Sequence, residues 1–419
     1  MQICIFEGIY FDRLEPLVFP RPVYNLVCGI HSLKDKILRA YPGVHHSFHC
    51  RPYIVPFLQN KYPRFEVNTI TDDDCLFING AVLAHQNLSQ IIPISDTTNK
   101  LYVNNDTIIA ARVSGKKLEE IKGNMNDLLT ESNFDGLPVE KVDVKCIDYV
   151  WDLINNNGKE LLSDYAFLVQ NEKERILGKV HVGAHLIEKD NIFIAPGAEI
   201  KPGVILDGSQ GPIYIDRDAV VYPNAVIEGP VYVGQSAQIK SCARIYDNVS
   251  IGKVCKVGGE VECSVIFPYT NKQHSGFLGH AYIGSWVNLG ADTNCSDLKN
   301  NYGMVKIYVG GEIVNSNSQF LGLIMGDHSK TAINSMFNTG TVVGFSCNIF
   351  GAGFPAKYIP SFSWGGSDAI TTYDLERSIE TAKRVKLRRN KTMLESEEKL
   401  FRKIFDLTKK ERRKRGYPY

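Results

Sequence analysis

Residues 215–257 read IDRDAVVYPNAVIEGPVYVGQSAQIKSCARIYDNVSIGKVCKV, and this stretch decides the fold. An aliphatic residue stands at every sixth position: Ile215, Val221, Ile227, Val233, Ile239, Ile245, Ile251 and Val257. Four positions after each of them stands a small or modest side chain: Ala219, Ala225, Val231, Ala237, Ala243, Val249, Cys255 and Val261. A period of six fits neither a helix nor a simple strand and is typical of hexapeptide-repeat β-helices. We therefore predict a β-helix whose aliphatic residues point into a narrow, stacked core.

The repeat extends in both directions and has two interruptions. Early rungs begin at Ile194 and Ile200, and three extra residues near 208–211 shift the frame before the regular run. The pattern breaks at about 263–276 and again at 293–323. Loops that leave a solenoid shaft are where its function usually resides. We therefore expect the chemistry at these two breaks.

Four segments follow from the pattern along the chain. Residues 1–145 alternate apolar runs with amphipathic stretches, which predicts an α/β domain. Residues 146–177 predict a helical connector that is interrupted at Asn155–Gly158, and 178–360 form the β-helix. Residues 361–419 predict a helical tail with basic clusters at 383–391 and 409–415. We interpret these clusters as solvated surface, the alternative being contact with an anionic ligand or a neighbouring subunit.

Composition narrows the class of protein. The 419 residues are 44% hydrophobic and 22% charged with a net charge of +1, so no bulk attraction to nucleic acid or membrane is expected. No apolar run reaches the ~20 residues of a membrane span, and the start of the chain does not resemble a signal peptide. The ten cysteines show no CxxC spacing, and Cys242, Cys255 and Cys347 fall inside rungs. We expect reduced thiols in a cytoplasmic protein.

Residues 260–291 read EVECSVIFPYTNKQHSGFLGHAYIGSWVNLGA. This stretch resembles the acetyltransferase domain of the bifunctional uridylyltransferase/glucosamine-1-phosphate acetyltransferases, without a gap from Arg244 to Ala291. The strings SDLKNNYG at 296–303 and GDHSKTAIN at 326–334 resemble a divergent branch of that family. The resemblance implies a left-handed parallel β-helix, assembled as a homotrimer with active sites between neighbouring shafts.

The resemblance also implies roles for individual residues. His274 matches the general base that takes a proton from a sugar amine as the amine attacks the thioester of acetyl-CoA, and imidazole exchanges protons readily near neutral pH. Arg244 matches the residue that grips the sugar phosphate, which suits a guanidinium fork. Glu260 matches an acid near the base, Asn288 a sugar-contacting residue, and Ala291 a position where the backbone meets the cofactor.

Some positions depart from the family pattern or match it loosely. Asn301 and Tyr302 take the place of a substrate-binding Asn-Tyr pair after a short insertion. Glu262 stands where the family has a phosphate-binding lysine, which is expected to repel a sugar phosphate, and Phe277 replaces a tyrosine. Lys306, in the following loop, can supply the lost cation. The acceptor sugar is therefore expected to differ from that of the family.

The N-terminal segment resembles sugar-nucleotide pyrophosphorylases in shorter motifs. The string RLEPLV at 13–18 is similar to their Arg-Leu-x-Pro-Leu-Thr element, and Arg21-Pro22 stands where a Pro-Lys pair follows. Arg13 and Arg21 are the candidate phosphate ligands, the alternative being structural ion pairs. The glycine-rich loop is reduced to Gly8, so few backbone N–H groups can approach a triphosphate. Ala81 occupies the position of the metal-binding aspartate, with Asp72–Asp74 upstream.

We predict a trimeric, cytoplasmic sugar-nucleotide enzyme: a nucleotidyltransferase-like domain followed by an acetyl-CoA-dependent N-acetyltransferase acting on an amino-sugar phosphate. Mg²⁺ and a nucleoside triphosphate are expected only if the N-terminal domain is active. One alternative is a non-catalytic sugar-nucleotide-binding or scaffold trimer, and another keeps nucleotidyl transfer alone. His280, six residues after His274, raises a metal hypothesis, but a three-imidazole site lacks its third histidine and we predict no metal.

Overall fold

The computed structural model describes residues 1–417, and its N-terminal part is an α/β domain on one seven-stranded sheet. The strands are β1 Gln2–Phe6, β2 His45–His49, β3 Glu66–Val67, β4 Asp74–Asn79, β5 Lys100–Asn104, β6 Thr107–Ser114 and β7 Val139–Lys141. They lie in the order β3-β2-β1-β4-β6-β5-β7, and β6 runs antiparallel to both of its neighbours. Apolar residues of β1 and β4 are fully buried, which explains why both read as continuous apolar runs.

Helices connect these strands and lead into the shaft. The α-helices are α1 Leu33–Ala40, α2 Val55–Lys61, α3 Leu88–Ile91, α4 Gly115–Lys122 and α5 Val150–Val169. The 3₁₀-helices of this part are Ile9–Leu14, Val23–Asn25, Pro52–Ile54 and Glu131–Phe134. Helix α1 begins with a capping box, because the Ser32 hydroxyl accepts from the Asp35 N–H while the Asp35 carboxylate accepts from the Ser32 N–H.

The predicted interruption at Asn155–Gly158 is wrong, since α5 runs through it without a break. The Asn157 side chain is fully buried, accepts from the Gly29 N–H at 2.7 Å and donates to the Asn248 carbonyl at 2.8 Å. Asn156 accepts from the Lys145 ammonium at 2.8 Å. The amides therefore serve tertiary contacts, which outweigh their weak helix propensity.

The shaft has three faces of short parallel strands. Face one contains Ile192–Ile194, Ile213–Ile215, Val231–Val233, Val249–Ile251, Val265–Ile266, Tyr282–Ile283, Ile324–Met325, Val342–Val343 and Tyr358–Ile359. Face two contains Lys179–Val180, Glu199–Ile200, Val220–Val221, Gln238–Ile239, Lys256–Val257, Asn271–Lys272, Lys330–Thr331, Asn348–Ile349, Ser363–Gly365 and the antiparallel Ile370–Thr372. Face three contains His185–Ile187, Ile205–Asp207, Val226–Glu228, Arg244–Ile245, Glu260–Glu262, Phe277–Gly279, Asn294–Cys295 and Met336–Phe337. A 3₁₀-helix, Lys189–Asn191, precedes the first strand of face one.

The period of six forms the core of this shaft. All eight periodic aliphatic residues from Ile215 to Val257 have no exposed surface. Ile215 pairs with Val233, one coil of three hexads later, whereas Ile194 pairs with Ile215 because of the three extra residues near 208–211. The ten cysteines are free, as predicted, but Cys242 is exposed at a corner rather than buried in a rung. Its backbone there is left-handed, with φ 61°.

Two further elements complete the molecule. The second break carries a hairpin, Lys306–Val309 with Glu312–Asn315, and the chain ends in α6 Leu375–Leu387, α7 Glu395–Leu407 and α8 Lys409–Lys414. The N-terminal domain packs on face one, where Leu17 belongs to the same buried cluster as Phe267 and Ile324. The Tyr282 hydroxyl, on face one, is hydrogen-bonded to both the N–H and the carbonyl of Val27.

The predicted fold class is confirmed: an α/β N-terminal domain, a left-handed parallel β-helix and a helical C-terminal end. The residue numbers given above for the four segment boundaries stay predictions. Within residues 1–417, no helix combines the length and the apolar character that a bilayer crossing requires.

Candidate functional site

His274 lies in the loop that joins face two to face three. The strand before it ends at Lys272, and the strand after it begins at Phe277. Lys272 is 1% exposed because it stands in register with Val257, in the inward-pointing column of the core. Its ammonium donates to the carbonyls of Gly258 (2.9 Å), His274 (3.3 Å) and Gly276 (2.5 Å), and burial lowers the pKa of Lys272 to about 8. Lys272 is not among the site residues that the sequence predicts, and it fixes the loop of the candidate base.

A cavity of about 600 Å³ opens beside this loop on the outside of the shaft. Its lining includes His274, Arg244, Glu260 and Ala291, four of the residues predicted for the acetyl-transfer site. Arg244 and Glu260 face each other across adjacent strands of face three, with 2.8 Å between guanidinium and carboxylate. The Arg244 side chain is 59% exposed, so it can exchange the carboxylate for an anionic ligand.

The other predicted substrate-binding residues of the shaft lie outside the lining of this cavity. Asn288 continues face two in the next coil, where its amide oxygen accepts from Asn271 at 3.4 Å. Asn301 accepts from the Gly303 N–H at 3.1 Å in the long second break, and Tyr302 beside it is 67% exposed. Lys306 begins the hairpin. Their roles stay predictions.

Glu262 also lies outside the cavity lining, and the expectation that it repels a sugar phosphate stays a prediction. It forms a cluster with His280 and Asp297, whose ligand atoms all lie within 4.8 Å of one another. The His280 Nδ1 is 2.8 Å from the Asp297 carboxylate. Burial opposes the imidazolium, but hydrogen bonds to Asp297 and Cys263 raise the pKa of His280 to about 10. Burial, together with Asp297, raises the pKa of Glu262.

The sequence carried a signal for this cluster, because its three members stand one shaft coil apart, at spacings of 18 and 17 residues. Glu262, His280 and Asp297 can serve as metal ligands with a single imidazole, a donor set different from the three-imidazole site considered from the sequence. As an alternative to metal binding, the close contact between His280 and Asp297 satisfies both side chains as a buried ion pair.

The second candidate region is the edge of the N-terminal sheet where β1, β2 and β4 end. Ligands of open α/β sheets bind at this edge. Here the fully buried carboxylate of Glu7, just after β1, accepts from the Arg51 Nε at 2.9 Å and from the Val23 N–H at 3.0 Å. The remaining cavity, which Gly8 and Ala81 line, measures about 40 Å³, room for about one water molecule.

This edge does not fit Mg²⁺ with a nucleoside triphosphate. Asp148 is the one carboxylate that lines the cavity within residues 1–417, and the Asn79 amide already binds the Ile108 carbonyl and the Ala81 N–H. Asp72–Asp74 are at the opposite end of β4, about 17 Å from Asn79 at ~3.3 Å per residue. These acids are therefore too far from Ala81 to take the place of the missing aspartate.

The two arginines predicted to bind phosphate are engaged in other contacts. Arg13 is 3.8 Å from the Asp148 carboxylate and its guanidinium lies over the Tyr10 ring at 4.2 Å. Arg21 pairs with Asp327 of the shaft and lies over Phe267 at 4.6 Å. Their positions correspond to the structural ion pairs that we considered as the alternative.

Known proteins resemble this chain in both halves. Residues 3–173 match the family described as "Sugar nucleotidyl transferase". The "Bifunctional protein GlmU" of Methanococcus aeolicus is 24% identical over 282 residues, which are 67% of this chain and 56% of the relative. That of Acaryochloris marina is 28% identical over 232 residues, 51% of this chain and 46% of the relative, and that of Methanocaldococcus jannaschii is 25% identical over 337 residues, 75% and 76%. The resemblance stated from the motifs is confirmed, and the chain spans about half the length of the first two relatives.

Among solved structures, the "UDP-N-acetylglucosamine acyltransferase from Campylobacter jejuni" is similar to this chain with a TM-score of 0.29 and 14% identity. The alignment covers 55% of this chain and 96% of that one. LpxA from Acinetobacter baumannii is similar with a TM-score of 0.20 and 17% identity, over 50% of this chain and 77% of that one.

Proposed function

We propose that this chain is a transferase of sugar-nucleotide biosynthesis whose shaft N-acetylates an amino-sugar phosphate with acetyl-CoA. The observation that carries the proposal is the convergence of His274, Arg244, Glu260 and Ala291 on one cavity, although up to 47 residues separate them in sequence. The matches to a sugar nucleotidyl transferase family and to bifunctional GlmU proteins support the transferase class.

In the proposed reaction the His274 imidazole removes a proton from the neutral sugar amine as its nitrogen attacks the thioester carbonyl. The C–N bond forms, the C–S bond breaks, and the leaving CoA thiolate takes up a proton to become the thiol. A thioester is already activated, so the step proceeds without a covalent enzyme intermediate. Lys272 contributes by holding the carbonyls of the loop, which restricts His274 to one position.

Arg244 and Glu260 are proposed to hold the acceptor. The guanidinium binds the sugar phosphate through its free N–H groups, and Glu260, 2.8 Å away, keeps it pointed across face three. The backbone at Ala291 forms the wall on which the cofactor lies.

A homotrimer is part of the proposal. The cavity lies on the outer surface of the shaft and Arg244 is 59% exposed, so the site has one open side. A neighbouring shaft can supply that wall and exclude water from the thioester. We assign no nucleotidyl-transfer step to the N-terminal edge, because the Glu7–Arg51 pair and a 40 Å³ cavity leave no room for a nucleotide there.

The test is release of free thiol from acetyl-CoA with glucosamine-1-phosphate. We expect turnover by the wild type and a loss of about 10²–10⁴-fold in His274→Ala, with acetyl-CoA binding retained. His185→Ala is the matched control, because His185 is an exposed histidine on the same face three, outside the cavity, and this variant should keep full activity.

Other outcomes separate the alternatives. Turnover only with another amino-sugar phosphate would support acetyl transfer and identify a different acceptor. Equal loss in both histidine variants would remove His274 from the role of base. Neither turnover nor acetyl-CoA binding by the wild type would contradict the proposal and favour the sugar-nucleotide-binding or scaffold alternative.

A further inference from the structure

A larger cavity, of about 750 Å³, lies where the N-terminal domain, the shaft and the C-terminal helices meet. The shaft contributes its corner between face one and face two, whereas His274 lies on the corner between face two and face three. The N-terminal domain contributes the loop around Arg21 and the end of α2, and the C-terminal part contributes residues of α6, α7 and the turn between them. The volume falls in the range of small-molecule sites, which is about 300–1,000 Å³.

The lining of this cavity carries an excess of positive charge. Its six cationic side chains are Arg21, Lys34, Lys61, Lys253, Lys386 and Lys391, and its three carboxylates are Asp35, Asp327 and Glu397. Each carboxylate already has a cation: Asp327 pairs with Arg21, Glu397 with Lys386, and Asp35 lies 3.6 Å from Lys34. The ion pairs of the lining leave Lys61, Lys253 and Lys391 without a carboxylate partner among residues 1–417.

The charge acts on a neighbouring phenol. Burial favours the neutral form of Tyr62, yet Lys61 and Lys34 lower the pKa of Tyr62. An anion in this cavity would therefore meet a favourable potential.

Aromatic rings line the shaft side of the same cavity. Tyr269 and Trp286, on successive coils, are stacked with centroids 4.2 Å apart and 7° between their planes. Trp286 is also parallel to His328 of the next coil, at 6.2 Å and 12°. All three occupy the corner in the left-handed conformation, with φ between 62° and 67°, which is costly for bulky residues. Tyr269 and Trp286 are half-buried, so this aromatic column presents ring edges to the cavity.

His328 adds an unsatisfied hydrogen-bonding group. The residue is 7% exposed, and its Nδ1 is buried without a hydrogen-bond partner. Burial, together with Lys330 and Lys386, lowers the pKa of His328, so its ring is neutral. A buried ring nitrogen without a partner costs free energy unless a ligand or water satisfies it.

We propose that this cavity binds a nucleoside phosphate, at a site separate from the His274 cavity. The base lies against the edges of the Tyr269–Trp286 column in edge-to-face contact, since the ring faces are stacked on one another. The phosphates lie toward Lys61, Lys253 and Lys391, and the His328 nitrogen hydrogen-bonds the base or sugar. Aromatic rings beside an excess of three cations match a nucleoside phosphate better than two other classes of ligand. A bare anion would not need the stacked rings, and an apolar ligand would not need the lysines. The proposal does not rest on the acetyl-transfer function.

The experiment is isothermal titration calorimetry of the full chain with UDP, ADP and inorganic pyrophosphate. We expect saturable binding of at least one nucleotide, about tenfold or more tighter than pyrophosphate. Trp286→Ala should weaken nucleotide binding about twofold to tenfold and leave pyrophosphate binding nearly unchanged. The double variant K253A/K391A should weaken both.

Two controls locate the effect. Lys399→Ala removes an exposed lysine of α7 that pairs with Glu395 outside the cavity, and it should bind like the wild type. His274→Ala should also retain nucleotide binding, which separates this site from acetyl transfer. Competition with CoA identifies the source of the ligand: displacement of the nucleotide by CoA assigns the site to the nucleotide part of the cofactor, and its failure assigns it to a free nucleotide or sugar nucleotide.

The proposal is overturned if neither UDP nor ADP binds saturably to the wild type, or if Trp286→Ala and the double lysine variant bind as tightly as Lys399→Ala. Pyrophosphate that binds as tightly as the nucleotides would also overturn it, because the aromatic column would then have no part in recognition. Thermal unfolding of each variant verifies that it is folded.

Discussion

Two arginine–glutamate pairs mark the two candidate regions, and they differ in exposure rather than in geometry. Arg51 and Glu7 are 2.9 Å apart at the edge of the N-terminal sheet, with side chains 5% and 0% exposed. Arg244 and Glu260 are 2.8 Å apart on face three, with side chains 59% and 29% exposed. A buried pair has no surface left for a ligand, whereas an exposed guanidinium can add or exchange a partner. The Arg51–Glu7 pair therefore blocks ligand binding at the edge of the N-terminal sheet, whereas the Arg244–Glu260 pair leaves its guanidinium available to a ligand.

Breaking the buried pair should give the largest effect, and the effect should be on stability. We expect Arg51→Ala to lower the free energy of unfolding by about 3–5 kcal/mol, because the buried Glu7 carboxylate loses its cation and keeps only backbone donors such as the Val23 N–H. Urea denaturation measures the loss. Thiol release per folded molecule should remain that of the wild type. An activity loss without a stability loss would mean that the N-terminal edge is a functional site, contrary to the interpretation that the buried pair blocks it.

Breaking the exposed pair should leave the free energy of unfolding almost unchanged and weaken binding of the acceptor. We expect Arg244→Ala to raise KM for the amino-sugar phosphate about tenfold to a hundredfold, since a hydrogen bond to a charged group contributes ~1.5–3 kcal/mol. The free energy of unfolding should change by less than ~0.5 kcal/mol. Arg217→Ala, an exposed arginine elsewhere on the shaft, should change neither quantity. Steady-state kinetics with varied acceptor decides the outcome.

Lys272 is a core residue that also holds the His274 loop, so its variant should change both stability and activity. We expect Lys272→Met to cost about 1–3 kcal/mol, because three carbonyls lose their donor, and to lower kcat through a looser His274 loop. Relative to Lys272→Met, the wild type should gain stability as pH rises from about 8 toward 10.5, where folded Lys272 releases a proton that the unfolded chain keeps. Urea midpoints of both proteins across this pH range supply the measurement, and a variant with unchanged kcat would restrict Lys272 to the core.

The last prediction concerns His280 and depends on pH. The pKa of His280 is raised from 6.5 to about 10, so its contribution to stability is complete below about pH 6.5 and is lost as pH rises through 10. The difference in free energy of unfolding between wild type and His280→Gln should shrink from pH 6 to pH 10. A difference that stays constant over this range would show that the Asp297 ion pair contributes nothing.

The parts of the molecule that the sequence predicts are those with a fixed spacing. The aliphatic period predicts every rung from Ile215 to Val257, because each hexad repeats the same inward position. The motif resemblance predicts the convergence of Arg244, Glu260 and His274, since successive coils stack. Glu262, His280 and Asp297 stand at the same spacing of one coil, so a comparison of titratable groups one coil apart also predicts this cluster.

Contacts between distant segments are what the sequence does not reveal. Glu7 and Arg51 belong to different strand ends, and nothing in either local pattern indicates that they fill the ligand edge. The polar run at Asn155–Gly158 resembles a turn, but buried partners at Gly29 and Asn248 keep it helical. The cavity between the domains and the tail likewise depends on how three separately patterned segments pack.

The hydroxyl of Tyr282, held by both the N–H and the carbonyl of Val27, has a consequence for how the protein can be divided. The surface of face one that carries Tyr282 and Phe267 is buried beneath the N-terminal domain. An isolated shaft would expose it as a contiguous apolar patch, which favours aggregation. The N-terminal domain thus serves as a permanent cover for the shaft, whether or not it performs chemistry, and the two are expected to melt in a single cooperative transition.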